Sequence, residues 1–210
     1  MNFVPARFSF RETGKGGNMK KYFNPVPVFF CTVLLCFFTL LPPAQGKTYY
    51  KRSVEQYTVP DVILVNQEGK KVHLKKFLDT DKPLMIDFIY GTCTTICPVL
   101  SVGYAHFQKK LGAEAAGVQL VSISIDPDND TPELMHAYLR KYGAQPGWDV
   151  FTGKLDNIVE VLTAFDAYVT NKMNHFPLTI LRGPGQDDWI RLNGLLSASD
   201  LMKEYKKMAE

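Results

Sequence analysis

Cys93 and Cys97, two cysteines with three residues between them, are the pair whose type and spacing most directly indicate chemistry. They lie in the segment 91–98 (GTCTTICP), which joins an apolar, β-prone run to a predicted helix. Residues four apart on a helix are about 6 Å apart along its axis and share one face. A Cα separation of that order also suits a disulfide bond. The pair can therefore form a disulfide or bind a metal ion through two thiolates.

The predicted position of the pair favours ionised, soft sulfur ligands. A helix N-terminus carries partial positive charge and free N–H groups, which lower the pKa of a nearby cysteine. Thiolates select Cu(I) over hard cations, and one added imidazole would give a three-coordinate site for either copper oxidation state. A purely structural disulfide is the alternative, but such bridges seldom lie at a strand–helix junction followed directly by proline.

The four histidines are the candidate nitrogen ligands. His73 falls in a predicted hairpin strand, while His106 and His136 fall on predicted helices, and surface or edge packing is the expected role of all three. His175 differs because a predicted late strand follows it closely. On spacing alone, a lone histidine of this kind is more often a non-ligand.

The start of the chain has the layout of a secretory signal peptide. Two lysines at 20–21 precede an apolar run over 26–41, and two prolines and the small-residue pattern 44–46 (AQG) follow it. A membrane-spanning helix needs about 20 apolar residues, so cleavage after residue 46 is favoured over an uncleaved anchor. Met19 is an alternative start of the chain.

Composition and charge exclude disorder and nucleic-acid binding. The chain has 210 residues, of which 46% are hydrophobic and 21% charged, as in a globular protein with a core. Its formal charge of +3 falls to about −1 without the leader, so no basic surface for nucleic acid is expected. Cys31 and Cys36 belong to the apolar run of the leader. Cys93 and Cys97 are therefore the only thiols expected in the exported domain.

The rest of the chain alternates between strand and helix patterns. Strands are predicted at 62–65, 71–74, 85–90, 118–125, 148–151, 178–181 and 189–192. Helices are predicted at 99–111, 131–142, 155–165 and 199–208. This order predicts one α/β domain with parallel strands covered on both faces. We expect an N-terminal extension and signal peptide over 1–46, a short linker over 47–57 and the folded domain over 58–210.

Four separate motifs carry a family resemblance through their order and spacing. They are 88–98 (FIYGTCTTICP), 122–132 (SISIDPDNDTP), Trp148 followed by 151–153 (FTG), and His175 ahead of a late strand. Together they resemble the Sco/SenC family of copper-binding, thioredoxin-like proteins over nearly all of the folded domain. The resemblance implies a thioredoxin-like α/β fold, with a central mixed sheet flanked by helices and an N-terminal β-hairpin extension.

The resemblance also implies a site and an activity. Cys93, Cys97 and His175 would be copper ligands, and the two cysteines would interconvert between dithiol and disulfide. The family delivers copper to, or reduces the cysteines of, the binuclear copper centre of a cytochrome oxidase subunit. The implied partner is that copper-accepting subunit or another exported thiol protein. We expect a monomer in the periplasm or at the outer face of the cytoplasmic membrane, with membrane contact only through an uncleaved leader.

The chain departs from the family pattern near the implied site. Thr94 and Thr95 stand where the family often has proline and an acidic residue, and Asn174 stands where aspartate often precedes the histidine. These changes should leave the ligands intact but alter the surrounding charge and hydrogen bonding. Pro177 is expected to be a trans turn proline rather than the cis-proline of thioredoxin-like folds.

Two functions of different classes remain open at this point. One is a copper metallochaperone with no turnover, and the other is a thiol–disulfide oxidoreductase with no need for copper. A thiol peroxidase ranks last, because Tyr90 stands where a peroxiredoxin loop has proline. The alternating aspartates of 126–130 predict a turn and helix cap rather than a calcium loop, since Thr131 replaces the required glycine.

Overall fold

The structure is a computed structural model that describes residues 49–208. The predicted signal peptide, its cleavage site and the alternative start at Met19 lie outside the described residues. Within 49–208, no helix has both the length and the apolar character needed to cross a membrane.

Eight strands and five α-helices make up the described part of the chain. In chain order they are β1 (Tyr50–Glu55), β2 (Ile63–Asn66), β3 (Lys71–His73), α1 (Leu74–Leu78), β4 (Leu84–Ile89), α2 (Ile96–Leu111), β5 (Gln119–Ser124), α3 (Pro132–Tyr142), β6 (Trp148–Thr152), α4 (Leu155–Ala164), β7 (Leu178–Arg182), β8 (Trp189–Gly194) and α5 (Ala198–Met208). Two 3₁₀ turns, Gly112–Gly117 and Lys172–Asn174, complete the list.

The strands form one mixed sheet in the order β1-β8-β7-β4-β5-β6-β2-β3. The central strands β4, β5 and β6 are parallel, and every other neighbouring pair is antiparallel. All six residues of β4 are buried, as expected for a strand covered on both faces. The predicted α/β class and the mixed sheet flanked by helices are both confirmed.

Side chains alternate along β4 between two separate cores. Met85 and Ile89 pack with α2, α3 and α5 on one face of the sheet. Ile86 and Phe88 pack with α1 and α4 on the opposite face. The period of two in the strand therefore sends successive apolar residues to opposite layers, which is why the sequence reads as a continuous apolar run.

The segment 47–57, predicted to be a linker, contains a strand of the sheet. Tyr50–Glu55 form β1, which pairs antiparallel with the whole of β8 and is an outer strand of the sheet. Its exposed and half-buried residues do not alternate regularly, so the period-two pattern that identifies a half-buried strand in a sequence is missing here. The predicted β-hairpin extension is present as β2 and β3, and it joins the sheet through pairing of β2 with β6.

Two helices begin where the sequence does not predict a helix. Helix α2 begins at Ile96 rather than at residue 99, which places Cys97 in its first turn. Leu74, predicted to end a strand, begins the short helix α1, because Leu74 and Leu78 are both buried in the second core.

The sheet topology brings three loops to one edge. Strands β4 and β5 are parallel, so the loops that follow them, 90–95 and 125–131, lie side by side. The Ile125 N–H donates to the Ile89 carbonyl at 2.9 Å across this edge. Strand β7 runs antiparallel to β4, so the segment that precedes it, with His175, arrives at the same edge. Functional groups gather at such carboxyl ends of parallel strands.

Candidate metal and redox site

The two cysteines lie at the junction of β4 and α2, as predicted. The Cys93 N–H donates to the Tyr90 carbonyl at 3.1 Å, which closes a turn after the strand. The Cys97 N–H donates to Cys93 Sγ at 3.4 Å, while the N-cap residue Thr95 accepts no bond with its side chain. The sulfur of Cys93 thus accepts a hydrogen bond from the first turn of α2, in the role of a capping oxygen.

The two thiols differ in their tendency to ionise. Burial opposes the Cys93 thiolate, yet hydrogen bonds from Cys97 and Thr95 outweigh it and lower the pKa of Cys93 from 9.0 to about 7. Burial, followed by the hydrogen bond with Cys93, raises the pKa of Cys97 far above its ordinary value. Both cysteines are in the free thiol form, with Cys93 8% exposed and Cys97 0% exposed. Cys93 is therefore the more acidic and more accessible thiol.

Asp130 holds the start of the cysteine loop, a role that sequence reasoning missed. Its carboxylate accepts the Gly91 N–H at 3.0 and 3.1 Å and the Ser124 hydroxyl at 2.6 Å. A Cβ at Gly91 would lie 2.7 Å from Asp130 Oδ1, so the close approach requires glycine. The available signal was a glycine just before the cysteines and an aspartate after the neighbouring strand.

The predicted turn and cap over 126–131 is present. Thr131 is the N-cap of α3, where its hydroxyl accepts the Leu134 N–H at 3.3 Å. The Asp126 carboxylate accepts from the Asn129 amide at 2.9 Å and forms an ion pair with Lys172. Asp126 therefore links this turn to the segment that carries His175.

His175 has one ring nitrogen engaged and one free. Its Nε2 lies 2.8 Å from the Phe88 carbonyl, and a carbonyl oxygen only accepts, so Nε2 carries the proton. Its Nδ1 is buried and has no hydrogen-bond partner among the described residues. Burial lowers the pKa of His175, although the bond to Phe88 opposes this shift. A neutral imidazole with a free lone pair on Nδ1 is the form that binds metals, with its other N–H held by a carbonyl.

The structure places the three predicted ligands, Cys93, Cys97 and His175, at the same end of the sheet, but they are not close enough to bind one ion together. Among residues 49–208, no three Cys, His, Asp or Glu side chains are close enough to hold a metal ion together. Tyr90 contacts both Cys93 and His175. The centroid of the Tyr90 ring is 6.4 Å from that of the His175 ring. Burial, followed by a hydrogen bond to Cys93, raises the pKa of Tyr90 to about 12. A copper site with all three ligands therefore requires His175 and the cysteine loop to approach each other.

The donor groups present fit copper. The sulfur of Cys93, just before α2, and that of Cys97, in its first turn, are soft ligands, and the free Nδ1 of His175 supplies a borderline nitrogen. A hard cation would prefer carboxylates, and the carboxylates of Asp126 and Asp130 are already engaged by Lys172, Asn129, Ser124 and Gly91. The Pro177 peptide bond is trans, as predicted, because no described peptide bond is cis.

Comparison with known proteins decides the family. The sequence model of the SCO1/SenC family matches residues 51–208, which include the whole of this site. The chain belongs to the SCO1/SenC family. The match begins at residue 51, within β1, which agrees with the observed strand rather than with a linker.

A curated relative from Bacillus subtilis (strain 168), described as a SCO1 protein homolog, is 34% identical over 116 residues. The alignment covers 54% of this chain and 59% of the relative, so the chain spans somewhat more than half the length of that protein.

Solved structures of the same family share the fold. BsSco, described as a member of the Sco family of cytochrome c oxidase assembly proteins with a disulfide switch, is 29% identical, with a TM-score of 0.60 over 73% of this chain and 94% of that one. ScoI of Bradyrhizobium japonicum with copper bound is 27% identical, with a TM-score of 0.55 over 67% of this chain and 95% of that one. The predicted family and thioredoxin-like fold are confirmed.

Proposed function

We propose that this chain is an exported copper-binding metallochaperone with a redox-active cysteine pair, which assists assembly of the binuclear copper centre of a cytochrome oxidase. The observation that supports it best is a pair of cysteines at a helix N-terminus, near an imidazole whose Nδ1 is buried and has no partner among the described residues. BsSco, from a family of cytochrome c oxidase assembly proteins, and a copper-bound ScoI are relatives with the same fold.

The three side chains have distinct roles in binding the ion. Cys93, with a pKa of about 7, presents a thiolate at neutral pH and makes the first bond. Cys97 is protonated in the free protein and releases its proton as the second sulfur binds. His175 supplies neutral Nδ1 after its segment moves toward the sulfurs, while Nε2–H stays available to a carbonyl. Transfer of the ion to a partner returns the dithiol.

The proposed location and partner follow from the leader and the family. Residues 1–46 would direct export, which places the domain in the periplasm or on the outer face of the cytoplasmic membrane. The proposed partner is the copper-accepting subunit of a cytochrome oxidase. The protein acts as a monomer, and any contact with the membrane is made by an uncleaved leader.

Anaerobic copper titration of the reduced chain tests the proposal. We expect one ion per chain and, with Cu(II), a thiolate-to-copper charge-transfer band. Cys93→Ser should abolish the band, and His175→Ala should weaken or reshape it, whereas His106→Ala on the exposed face of α2 should change nothing. Absence of copper binding in the wild type would refute the proposal.

A thiol–disulfide oxidoreductase is the second candidate, favoured by the difference between the two thiols. The Cys93 thiolate would attack a disulfide of the target and release one target thiolate, giving a mixed disulfide. Cys97 would lose its proton and attack Cys93 Sγ, which releases the second target thiolate and leaves a Cys93–Cys97 disulfide. Two electrons pass to the target. Disulfide reduction that is unchanged in His175→Ala, together with unchanged copper binding, would favour this function over the first.

The structure gives no support to the thiol peroxidase alternative. Cys97 occupies the place of the peroxidatic cysteine in that resemblance, yet it is fully buried and its pKa is raised by burial. A peroxidatic cysteine must be accessible and ionised.

A further inference from the structure

Met173 is an exposed methionine for which packing gives no explanation. Met85, Met135 and Met208 are buried, and Met202 is half-buried against the first core. Met173 alone among the methionines of the described residues is exposed, with 72% of its surface open to solvent. A thioether in that position stabilises no core, so its role is to be sought in the chemistry of its sulfur.

The sulfur of Met173 lies at the candidate metal site. The Tyr90 hydroxyl donates to Met173 Sδ at 3.8 Å. The carbonyl of the same tyrosine accepts the Cys93 N–H at 3.1 Å, and its ring packs edge-to-face against His175. Met173 therefore contacts the one residue that also contacts Cys93 and the imidazole.

The turn that carries Met173 is held in place by specific contacts. The Met173 N–H donates to the Asn171 side chain at 2.9 Å, which caps the 3₁₀ turn Lys172–Asn174. Lys172 forms an ion pair with Asp126 and lies 5.6 Å from the centroid of the Tyr90 ring. The Met173 thioether and the His175 imidazole thus share one anchored segment at the edge that bears the cysteines.

We propose that Met173 Sδ is a further ligand for Cu(I), which binds the ion together with Cys93 and Cys97. This inference rests on the proposed copper function and adds a residue to it. A thioether is a neutral, soft ligand that prefers Cu(I) to Cu(II) and releases no proton on binding. Such a bond is weak and exchangeable, which suits a contact at the solvent-facing side of thiols that are themselves buried.

The same movement that brings His175 to the sulfurs would also bring Met173, because Met173 lies in the 3₁₀ turn and His175 is the residue that follows it. Binding of Cu(I) by Met173 therefore assists recruitment of the imidazole. The predicted signature is selective: loss of the thioether weakens Cu(I) binding and leaves the Cu(II) charge-transfer band of the thiolates unchanged.

Copper K-edge absorption on the full chain labelled with selenomethionine and loaded with one equivalent of Cu(I) tests the inference directly. We expect a Cu–Se scattering path in the wild type, its loss in Met173→Leu and its retention in the matched control Met202→Leu. Leucine keeps the size and apolar character of the side chain, so folding should be unchanged at this exposed position. A spectrum without a Cu–Se path would overturn the inference.

Competition with a Cu(I) chelator gives a second readout. Met173→Leu should weaken Cu(I) affinity about tenfold, as is typical when a supporting group at a metal site is lost. Met202→Leu should match the wild type. Equal Cu(I) affinity in Met173→Leu, with a normal Cu(II) band, would refute the role of Met173 while leaving the proposed function standing. A wild type that binds no copper at all would refute both.

Discussion

At the scale of single residues, hydrogen bonds to Cys93 Sγ determine which of the two thiols ionises. Cys93 Sγ accepts the Cys97 N–H at 3.4 Å and lies 3.8 Å from Thr95 Oγ1. These bonds, together with hydrogen bonds from the Cys97 thiol and the Thr95 backbone, stabilise the thiolate more than the thiol and outweigh the cost of burying the charge. Cys97, four residues later, has no comparable support and stays protonated. Identical side chains thus have different chemistry because their neighbours differ.

The Thr95 hydroxyl should contribute to the reactivity of Cys93 toward alkylating agents, although it is the weakest of the hydrogen bonds that lower the pKa of Cys93. With a pKa of about 7, the rate of Cys93 alkylation by iodoacetamide should rise through neutral pH. Thr95→Ala removes one hydrogen bond to the thiolate, so the midpoint should move to higher pH. The neighbouring exposed Thr94→Ala is the control and should not move it. A midpoint that is the same in all three proteins would contradict this account.

Asp87 should make the fold less stable as pH rises from acid to neutral. Its side chain is fully buried, Oδ1 accepts the Ser122 hydroxyl at 2.6 Å, and Oδ2 has no partner among the described residues. Burial raises its pKa from 3.8 to about 7. Because the folded state holds the proton more tightly, this contribution is complete below about pH 4 and is lost as pH rises through about 7.

Urea unfolding at several pH values measures the effect. The wild-type free energy of unfolding should fall by up to about 1.4 kcal/mol per pH unit between pH 4 and 7 from this group. Asp87→Asn carries no charge and should remove that part of the slope, while the exposed Asp128→Asn should keep it. Parallel pH profiles for Asp87→Asn and the wild type would disprove the assignment.

At the scale of elements, the loop after β4 is positioned by the loop after β5. Asp130 is 39 residues from Gly91 in the chain, yet it accepts the Gly91 N–H with both carboxylate oxygens. It also accepts the Ser124 hydroxyl at the end of β5. The parallel pairing of β4 with β5 makes this contact possible, and the contact fixes where the cysteine turn begins.

Gly91→Ala should therefore destabilise both the fold and the site. The added Cβ would lie 2.7 Å from Asp130 Oδ1 and 3.2 Å from Met135 Cε, so the carboxylate or the strand end must shift. We expect a loss of about 1–3 kcal/mol in the free energy of unfolding, measured by urea denaturation. Gly117→Ala, whose Cβ would meet no atom within 4 Å, is the control and should be neutral or slightly stabilising. Equal stability of the two variants would be the contrary result.

At the scale of the whole molecule, the first strand is tied to the last helix. Glu204 of α5 has only 1% of its side chain exposed and accepts from Tyr50 at 2.8 Å, from Arg52 at 3.1 Å and from Lys207 at 2.7 Å. Tyr50 and Arg52 belong to β1, so this carboxylate joins the two ends of the described chain. Loss of this carboxylate would leave Tyr50, Arg52 and Lys207 without their common acceptor.

Glu204→Gln should lower the free energy of unfolding by about 2 kcal/mol, because three charge-assisted or polar bonds weaken together. The exposed Glu160→Gln on α4 should change stability by less than about 0.5 kcal/mol. Thermal and urea unfolding of both variants give the comparison. A chain that begins at residue 58 lacks β1 and should lose at least as much, since Glu204 then keeps only Lys207.

Much of the fold and part of the site could be predicted from local sequence. The apolar run of β4, the alternation of strands with helices and the two-thiol motif are short-range patterns, and each predicted element is present. The predictions that were wrong concern segments whose structure depends on contacts with residues distant in the sequence. Residues 50–55 form a strand because β8 pairs with them, and Leu74 begins a helix because the second core buries it.

The sequence by itself predicted the family, most of the order of the elements and the cysteine pair that we propose binds copper, because those depend on residue type and spacing along the chain. Only the tertiary structure decided which thiol ionises, which nitrogen of His175 is free, and that Asp130, Tyr90 and Met173 lie at the site. Burial and hydrogen-bond partners arise from residues far apart in sequence that folding brings within a few ångströms, and no local pattern records them.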